Sequence, residues 1–239
     1  MNIVIAITLS LLSTALYAKC EKDTSLSAEY EVTNQSNGKT EHSRFILSRQ
    51  ANSVTHQFPD KNISEVWSLQ KNGRLKMSRF FDEHQRGIEY EAAEIPENSR
   101  NPDWKLKHQL ITNKFIAAMQ LEKKEGMGCE TIEHYSLMKG ETHVTLQWMP
   151  ERNLIKDLVM ITGNKKEIWM LDSLITNKGV VKSKFLHWDL MQTTDYADVG
   201  DNESDPFLMN MINLGFVEHG ASGFYYSSGD KMSHSGHTH

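Results

Sequence analysis

The amino-acid sequence predicts a mainly β, α+β fold, in which a curved antiparallel sheet or half-barrel carries a central amphipathic helix and a short C-terminal helix. Residues 25–95 form short runs of alternating apolar and polar residues separated by turn signals, which is typical of antiparallel strands. A helical spacing of apolar residues follows from Trp104, and strand-like runs resume at Cys129. Because strands lie on both sides of one helix, we expect one curved sheet rather than two domains.

The first strands are predicted from alternation and from their turns. The side chains of SLSAEYEVTN that share one side of the strand are Leu26, Ala28, Tyr30 and Val32. Ser-Asn-Gly at residues 36–38 predicts a turn, and SRFILSRQ and SVTHQF predict the next two strands. ISEVWSLQ and RLKMSRFFD flank Asn-Gly at residues 72–73, a strong hairpin signal, and GIEYEAAEI predicts another short strand.

The central helix is predicted from apolar residues at steps of three and four. They are Trp104, His108, Ile111, Phe115, Ala118 and Met119. The helix is expected to end near Gly126 and to pack this stripe, including His108, against the sheet. A cluster of lysines is interpreted as its solvated face: Lys105, Lys107, Lys114, Lys123 and Lys124.

The strands of the second half carry a resemblance to a known family. The aromatic-rich strand at residues 144–148, a turn at 149–153 containing Pro-Glu, LIKDLVMI, a turn at 163–165 and EIWMLDSLITN follow one another. This order resembles the closing strands of the periplasmic lipoprotein-carrier fold of LolA- and RseB-like proteins, over residues 25–190 in element order. The resemblance implies an incomplete barrel that cups a hydrophobic cavity beneath a lid of helices. No site motif of that family matches residue by residue, so no functional residue is carried over.

The N-terminus has the layout of a secretory signal peptide. An apolar run from Ile3 to Leu12 precedes small residues that end at Ala18. The run is short for a membrane anchor, which needs about 20 apolar residues. We therefore predict a signal peptide at residues 1–18, one β-rich domain at 19–226, a flexible histidine-containing tail at 227–239, and a periplasmic or secreted location.

The two cysteines of the chain, Cys20 and Cys129, are predicted to form one disulfide in that oxidising compartment. A reactive thiol or metal ligand at Cys129, with His134 nearby, is the alternative. The absence of a C-x-x-C motif favours the structural disulfide.

An acidic segment, TTDYADVGDNESDPF, has two interpretations. Its carboxylates are Asp195, Asp198, Asp201, Glu203 and Asp205, a composition that suits calcium but lacks the order of an EF-hand loop. Helix capping by Ser204 or Asp205, with Pro206 in the first helical position, explains more of the segment and is favoured. FLMNMINLG then predicts a short apolar, methionine-rich helix that stops at Gly215.

The chain ends in MSHSGHTH, which predicts a candidate metal site. Met232 precedes His234, His237 and His239, and a flexible H-x-x-H-x-H chain can wrap one copper, zinc or nickel ion. The tail is also rich in Gly and Ser and has no fixed geometry, so a loose polar terminus is the alternative.

The composition and the absent motifs argue against several classes of function. A net charge of -5 and the absence of a basic patch with interleaved aromatic residues argue against nucleic acid, and no hydrolase or phosphate-loop motif is present. We predict a non-catalytic exported carrier for an apolar ligand, a lipid, or an acylated or other envelope protein, without a required cofactor and compatible with peripheral membrane contact.

The predicted ligand-lining residues, for which core packing is the alternative, are Trp67, Phe80, Trp148, Trp169 and Phe207. The competing hypotheses are metal handling by the C-terminal histidines and, more weakly, a hydrolase without a readable motif.

Overall fold

One open, curved sheet of twelve strands forms the centre of the molecule. The computed structural model describes residues 25–95, 104–202 and 204–213. The first strands are β1 (Leu26–Ser36), β2 (Lys39–Gln50), β3 (Ser53–Phe58), β4 (Ile63–Leu69), β5 (Leu75–Phe81) and β6 (Arg86–Tyr90). The later strands are β7 (Gln120–Glu125), β8 (Ile132–Lys139), β9 (Thr142–Met149), β10 (Leu154–Thr162), β11 (Lys165–Ile175) and β12 (Gln192–Asp195). The helices are α1 (Trp104–Gln109), α2 (Asn113–Ala117), α3 (Lys178–Asp189) and α4 (Pro206–Asn213).

The sheet consists of two meanders joined side by side. Its order is β12-β6-β5-β4-β3-β2-β1-β11-β10-β9-β8-β7, so β1 and β11 connect the meander β1–β6 to the meander β7–β11. Neighbouring strands are antiparallel except for the parallel pair β6 and β12. The predicted mainly β fold with one curved antiparallel sheet is therefore confirmed.

The predicted hairpin turns are also confirmed. The loop between β1 and β2 contains only Asn37 and Gly38, with φ angles of 52° and 76°. Both central positions of a type I′ turn require positive φ, which Asn and Gly adopt at low cost. Gly73, with φ of 79°, lies in the turn between β4 and β5. The turn residues thus set the register of the strands that they connect.

The two faces of the sheet bury different side chains. We call the face that carries Leu26, Ala28, Tyr30 and Val32 of β1 the core face, because these residues belong to the main hydrophobic cluster. The opposite, outer face carries α3, which packs against β1 and β2. Alternation along each strand assigns a residue to one face or the other.

The single helix predicted from Trp104 to near Gly126 is wrong in its extent. Helix α1 ends at Gln109, and Leu110 adopts a left-handed φ of 66°, which interrupts a right-handed helix. Thr112 then caps α2, since its hydroxyl accepts the backbone N–H of Phe115 at 3.1 Å. The residues after α2 form β7, because the edge of β8 satisfies their backbone groups.

The lysines assigned to a solvated helix face are consequently divided among three environments. Lys105 and Lys114 are exposed on α1 and α2, as predicted. Lys123 and Lys124 lie on the exposed edge strand β7, where charged side chains discourage pairing with another sheet. Lys107 contradicts the prediction, since it is buried against the core face.

Helix α3 and strand β12 were not predicted. Asn177 caps α3 by accepting the backbone N–H of Val180 at 3.1 Å. Val181, Phe185 and Trp188 recur at steps of four and three and are the buried residues of the helix. The outer face of β1 and β2, where the helix packs, carries small buried residues such as the hydrogen-bonded Ser27 and Ser48. A cap followed by this spacing was the sequence signal for α3.

The acidic segment caps helix α4, which is the interpretation that the sequence favours. Asp205 Oδ1 accepts the backbone N–H of Phe207 at 2.9 Å, and α4 begins at Pro206. Arg86 bonds the same carboxylate at 2.6 Å and holds the pKa of Asp205 below its usual range. Glu203 and Gly215 lie outside the described residues. Within the parts of the chain that are described, no three His, Cys, Asp or Glu side chains are placed to hold a metal ion.

Several predictions concern segments outside the described residues. The signal peptide at 1–18, Cys20 and the tail at 227–239 all fall there. Cys129 lies in a 3-10 turn (Gly128–Glu130) and is not a free thiol, while its predicted pairing with Cys20 stays a prediction. None of the helices in the described ranges is long and apolar enough to cross a membrane.

A buried arginine connects the two meanders and α1. Arg49 lies near the end of β2 and is 1% exposed. Its Nη1 donates to the backbone carbonyls of His108 at 3.1 Å and Asn153 at 3.0 Å, and its Nη2 donates to that of Arg152 at 2.7 Å. Burial lowers the pKa of Arg49 to about 10, so it remains charged at neutral pH. One side chain therefore satisfies carbonyls from α1 and from the turn between β9 and β10.

We expect Arg49→Lys to lower the free energy of unfolding by at least about 1–3 kcal/mol, because one ammonium cannot reach all three carbonyls and each unsatisfied buried group costs that much. Arg44→Lys is the matched control on the same strand, since Arg44 is largely exposed and forms only long ion pairs. Urea unfolding measures both variants. Equal losses in the two variants would contradict the role given to Arg49.

Candidate functional site

The core face over β7–β11 is a continuous apolar surface. Two rows of side chains cross it at right angles to the strands. The first row contains Leu121, Tyr135, Leu146, Leu158 and Trp169. The second contains Leu137, Val144 and Met160 and ends at Glu167 of β11. Strands lie about 4.8 Å apart, so the four steps from β8 to β1 span about 19 Å.

Part of this surface remains accessible. We call Tyr135, Leu137, Leu158, Met160 and Leu171 the open apolar face, since they are only partly buried and pack against the main hydrophobic cluster. On β7, at the rim of the sheet, Leu121 is 50% exposed. The core face of β4 and β5 differs, because Trp67 and Met77 there are fully buried. An apolar molecule would therefore find its contact area on β7–β11.

Glu167 is the polar residue at the end of the second row. It is buried, and its Oε1 accepts the indole N–H of Trp169 at 2.6 Å. Its Oε2 is buried and has no hydrogen-bond partner among the described atoms. Burial raises the pKa of this carboxyl, and the bond from Trp169 acts in the opposite direction. The second apolar row thus ends at a buried carboxylate with one oxygen that has no hydrogen-bond partner among the described atoms.

A charged cluster occupies the core face of the other half, beneath α1. Arg79 Nη2 donates to Glu65 Oε1 at 2.8 Å in a buried ion pair, and the indole of Trp67 donates to Glu65 Oε2 at 3.2 Å. The ammonium of Lys107 lies 3.8 Å from the centre of the Trp67 ring. Burial lowers the pKa of Lys107 to about 8, and Glu65 opposes this shift. These contacts fix α1 on the sheet through a cation–π pair.

Two histidines complete the attachment of α1. His56 Nε2 donates to the backbone carbonyl of Lys107 at 2.7 Å, and burial lowers the pKa of His56 to about 4. His108 Nδ1 accepts from Arg49 at 3.2 Å, and burial together with Arg49 lowers the pKa of His108 to about 4. Lys107, Glu65 and Arg49 are the charged groups that act on these rings. Both histidines are therefore neutral in the folded protein at neutral pH.

The sequence interpretation missed this cluster, although a signal was present. Arg49 follows Leu47, His56 follows Val54, and Arg79 follows Met77, each by two positions on the same strand. Residues two apart share a face. Each of these ionisable residues was therefore in phase with the apolar residues of its strand, which predicts a buried side chain rather than a solvated one.

The five predicted ligand-lining residues do not meet at one site. Trp67, Trp148 and Trp169 belong to the main hydrophobic cluster of the core face, with Trp67 beneath Lys107. Phe80 points to the outer face, where it approaches Gly87 and Thr193. Phe207 contacts Phe81, His84 and Arg86 at the far edge of the sheet. Of the five, Trp169 is the one in direct register with the open apolar face.

A polar pocket of about 350 Å³ lies over β7–β10. Its polar lining includes Glu122, His134, Ser136 and Asp157. Ser136 Oγ donates to Glu122 at 2.6 Å, and His134 Nε2 bonds Glu125 Oε1 at 2.9 Å. No three metal-ligating side chains converge in the described parts of the chain, and none of the five predicted lining residues borders this pocket.

Comparisons with known proteins bear on the fold. No family model and no curated protein sequence matches this chain. Among solved structures, PNGF-II is similar over 73% of this chain at 10% identity with a TM-score of 0.35, and the chain spans about a third (32%) of its length. A LolA superfamily protein from Nitrosomonas europaea is similar over 65% of this chain and 87% of its own, at 8% identity with a TM-score of 0.32.

The complex of MucA and MucB from Pseudomonas aeruginosa gives a third likeness, over 65% of this chain and 53% of the other, at 10% identity with a TM-score of 0.34. Structures of a LolA superfamily protein and of MucB, which is RseB-like, are thus among those to which this chain is similar, as the sequence resemblance predicts. The ligand and the activity of this chain are inferred from its own residues. The three C-terminal histidines lie outside the described residues, so copper, zinc or nickel binding there stays a prediction.

We expect the protein to lose stability as the pH falls from 6.5 towards 4. His56 has a folded pKa below its unfolded value of 6.5, so only the unfolded chain takes up a proton in this window. The loss reaches about 3 kcal/mol for His56, and His108, whose folded pKa is also about 4, contributes in the same direction. Urea unfolding at pH 7 and about pH 4.5 measures it. His56→Gln should reduce the difference between the two pH values, whereas His42→Gln, at an exposed position on β2, should not. If the free energy of unfolding of His56→Gln differed between the two pH values as much as that of the parent protein, the burial of His56 would not be the cause.

Proposed function

We propose that this protein is a non-catalytic binding protein or carrier that holds the acyl chain of a lipid or of an acylated protein on its open apolar face. The observation that carries the proposal is the pair of apolar rows across β7–β11, in which Val144, Leu146 and Trp169 are buried and the residues of the open apolar face remain partly accessible. Each buried CH₂ group contributes about 0.8 kcal/mol, so an acyl chain laid along a surface about 19 Å wide would bind through apolar contact alone.

The two halves of the sheet have separate roles in this proposal. The half formed by β2–β6 attaches α1 through Arg49, His56 and Trp67, and this attachment gives the curved sheet a rigid side. The half formed by β7–β11 offers the apolar surface. A ligand chain would lie across the strands, along the two apolar rows.

A location in the bacterial envelope belongs to the same proposal. The predicted signal peptide and the two cysteines support it from the sequence. In that compartment a carrier would keep acyl chains out of water between membranes. Metal binding by His234, His237 and His239 stays a separate proposal.

We expect Leu137→Glu to weaken the binding of a fluorescent fatty acid, cis-parinaric acid, by at least tenfold, because a carboxylate on the open apolar face would have to be desolvated under the ligand. Titration with the probe, followed by its fluorescence, measures the Kd. Met138→Glu is the matched control, since Met138 is the next residue of β8, lies on the outer face and is 76% exposed.

Circular dichroism and urea unfolding establish that both variants fold. Tight binding by the parent protein, strong loss in Leu137→Glu and retention in Met138→Glu would support the proposal. No binding by the parent protein, or the same Kd in both variants, would contradict it.

A further inference from the structure

Helix α3 has an apolar and basic surface that faces away from the sheet. Val181, Phe185 and Trp188 already attach the helix to the outer face. On the opposite side, Leu186 is 47% exposed, and Leu190, immediately after the helix, is 86% exposed. A second apolar stripe on a helix whose first stripe is buried is not needed for packing.

The spacing brings these leucines onto one line with a lysine. Lys182, Leu186 and Leu190 follow one another at steps of four, so they form a single stripe along the solvent side of α3. Small residues, Gly179 and Ser183, lie beside the stripe and leave the leucines projecting. The outermost part of the helix is therefore apolar.

Basic residues lie on the same helix, with Lys182 in the stripe and Lys184 on another side of the helix from Leu186. Lys182 and Lys184 form no ion pair with any residue in the described ranges, and Lys178 lies at the start of the helix. Asp189 is the acidic residue of α3, so the helix carries three lysines against one aspartate. The whole chain, in contrast, has a net charge of -5. A local cationic surface on an acidic protein indicates a specific anionic partner.

We propose that the Leu186–Leu190 stripe with Lys182 and Lys184 docks this protein onto an anionic lipid bilayer surface. Leucines in line with a lysine on a basic helix suit the boundary between headgroups and acyl chains, where the leucines enter the apolar layer and the ammonium groups remain at the phosphates. A protein groove would have to match the two projecting leucines in shape, whereas a fluid bilayer accommodates them without a preformed pocket.

The docking surface lies on the outer face, whereas the open apolar face lies on the core face. The inference therefore stands independently of the proposed carrier function. A bilayer bound through α3 would leave the core face of β7–β11 uncovered. Leu137→Glu, which is designed to remove acyl binding, should not alter bilayer binding.

The test is co-flotation of the purified full-length protein with vesicles of phosphatidylglycerol and phosphatidylethanolamine, compared with vesicles of phosphatidylcholine alone. We expect binding to the anionic vesicles only. Raising NaCl to about 1 M, where the Debye length falls to about 3 Å, should release most of the protein. Each lysine near an anionic surface contributes roughly a fivefold change in partition, so Lys182→Glu with Lys184→Glu should reduce binding at least tenfold.

Leu186→Ser with Leu190→Ser should also reduce binding at least tenfold, because both leucines lose their apolar contact. Met138→Ser with Lys139→Glu is the matched control, since these exposed residues of β8 lie away from α3 and the variant should float like the parent protein. Both α3 pairs are at the surface, and urea unfolding confirms that the variants are folded. Binding to phosphatidylcholine as strong as to anionic vesicles, no binding to either, or equal loss in the control and the α3 variants would overturn the proposal.

Discussion

The hydrogen bonds of Arg49 are the interaction on which the arrangement of this sheet depends. A sheet of twelve strands joined only along β1 and β11 would have little to fix the two meanders relative to each other. Arg49 links them from within, since one guanidinium bonds carbonyls of α1 and of the turn between β9 and β10. A buried charge without such partners would be strongly unfavourable, so the curvature of the sheet and the position of α1 are set together.

The attachment of α1 makes one half of the sheet rigid, whereas the other half exposes apolar surface. Around Trp67, the charged residues Glu65, Arg79 and Lys107 hold α1 in place, and the core face beneath it is closed. Beyond β11, the apolar rows continue, and the residues of the open apolar face among them remain partly accessible. An open sheet with one closed half and one open half can present apolar surface and still keep its shape.

Much of the fold could be predicted from local patterns, whereas the site could not. Alternation in β1, and Asn-Gly at residues 72–73, act within a few residues, so the strands and hairpins followed from the sequence. The interruption at Leu110 depends on long-range contacts of α1 and on the free edge of β8, which no local pattern contains. The five aromatic residues chosen as a lining were apolar enough, but Phe80 lies on the outer face, because register rather than hydrophobicity decides the face, and Phe207 packs against Phe81 at the far edge of the sheet.

Tryptophan fluorescence with a brominated fatty acid as quencher tests most directly whether the core face holds an acyl chain. Trp169 lies in the first apolar row, and Trp188 lies on the outer face under α3. We expect the brominated acid to quench the tryptophan fluorescence of the parent protein. Trp169→Phe should lose much of this quenching, and Trp188→Phe should retain it. Quenching that depends on Trp188 rather than Trp169, or no quenching at saturating acid, would contradict an acyl-binding core face.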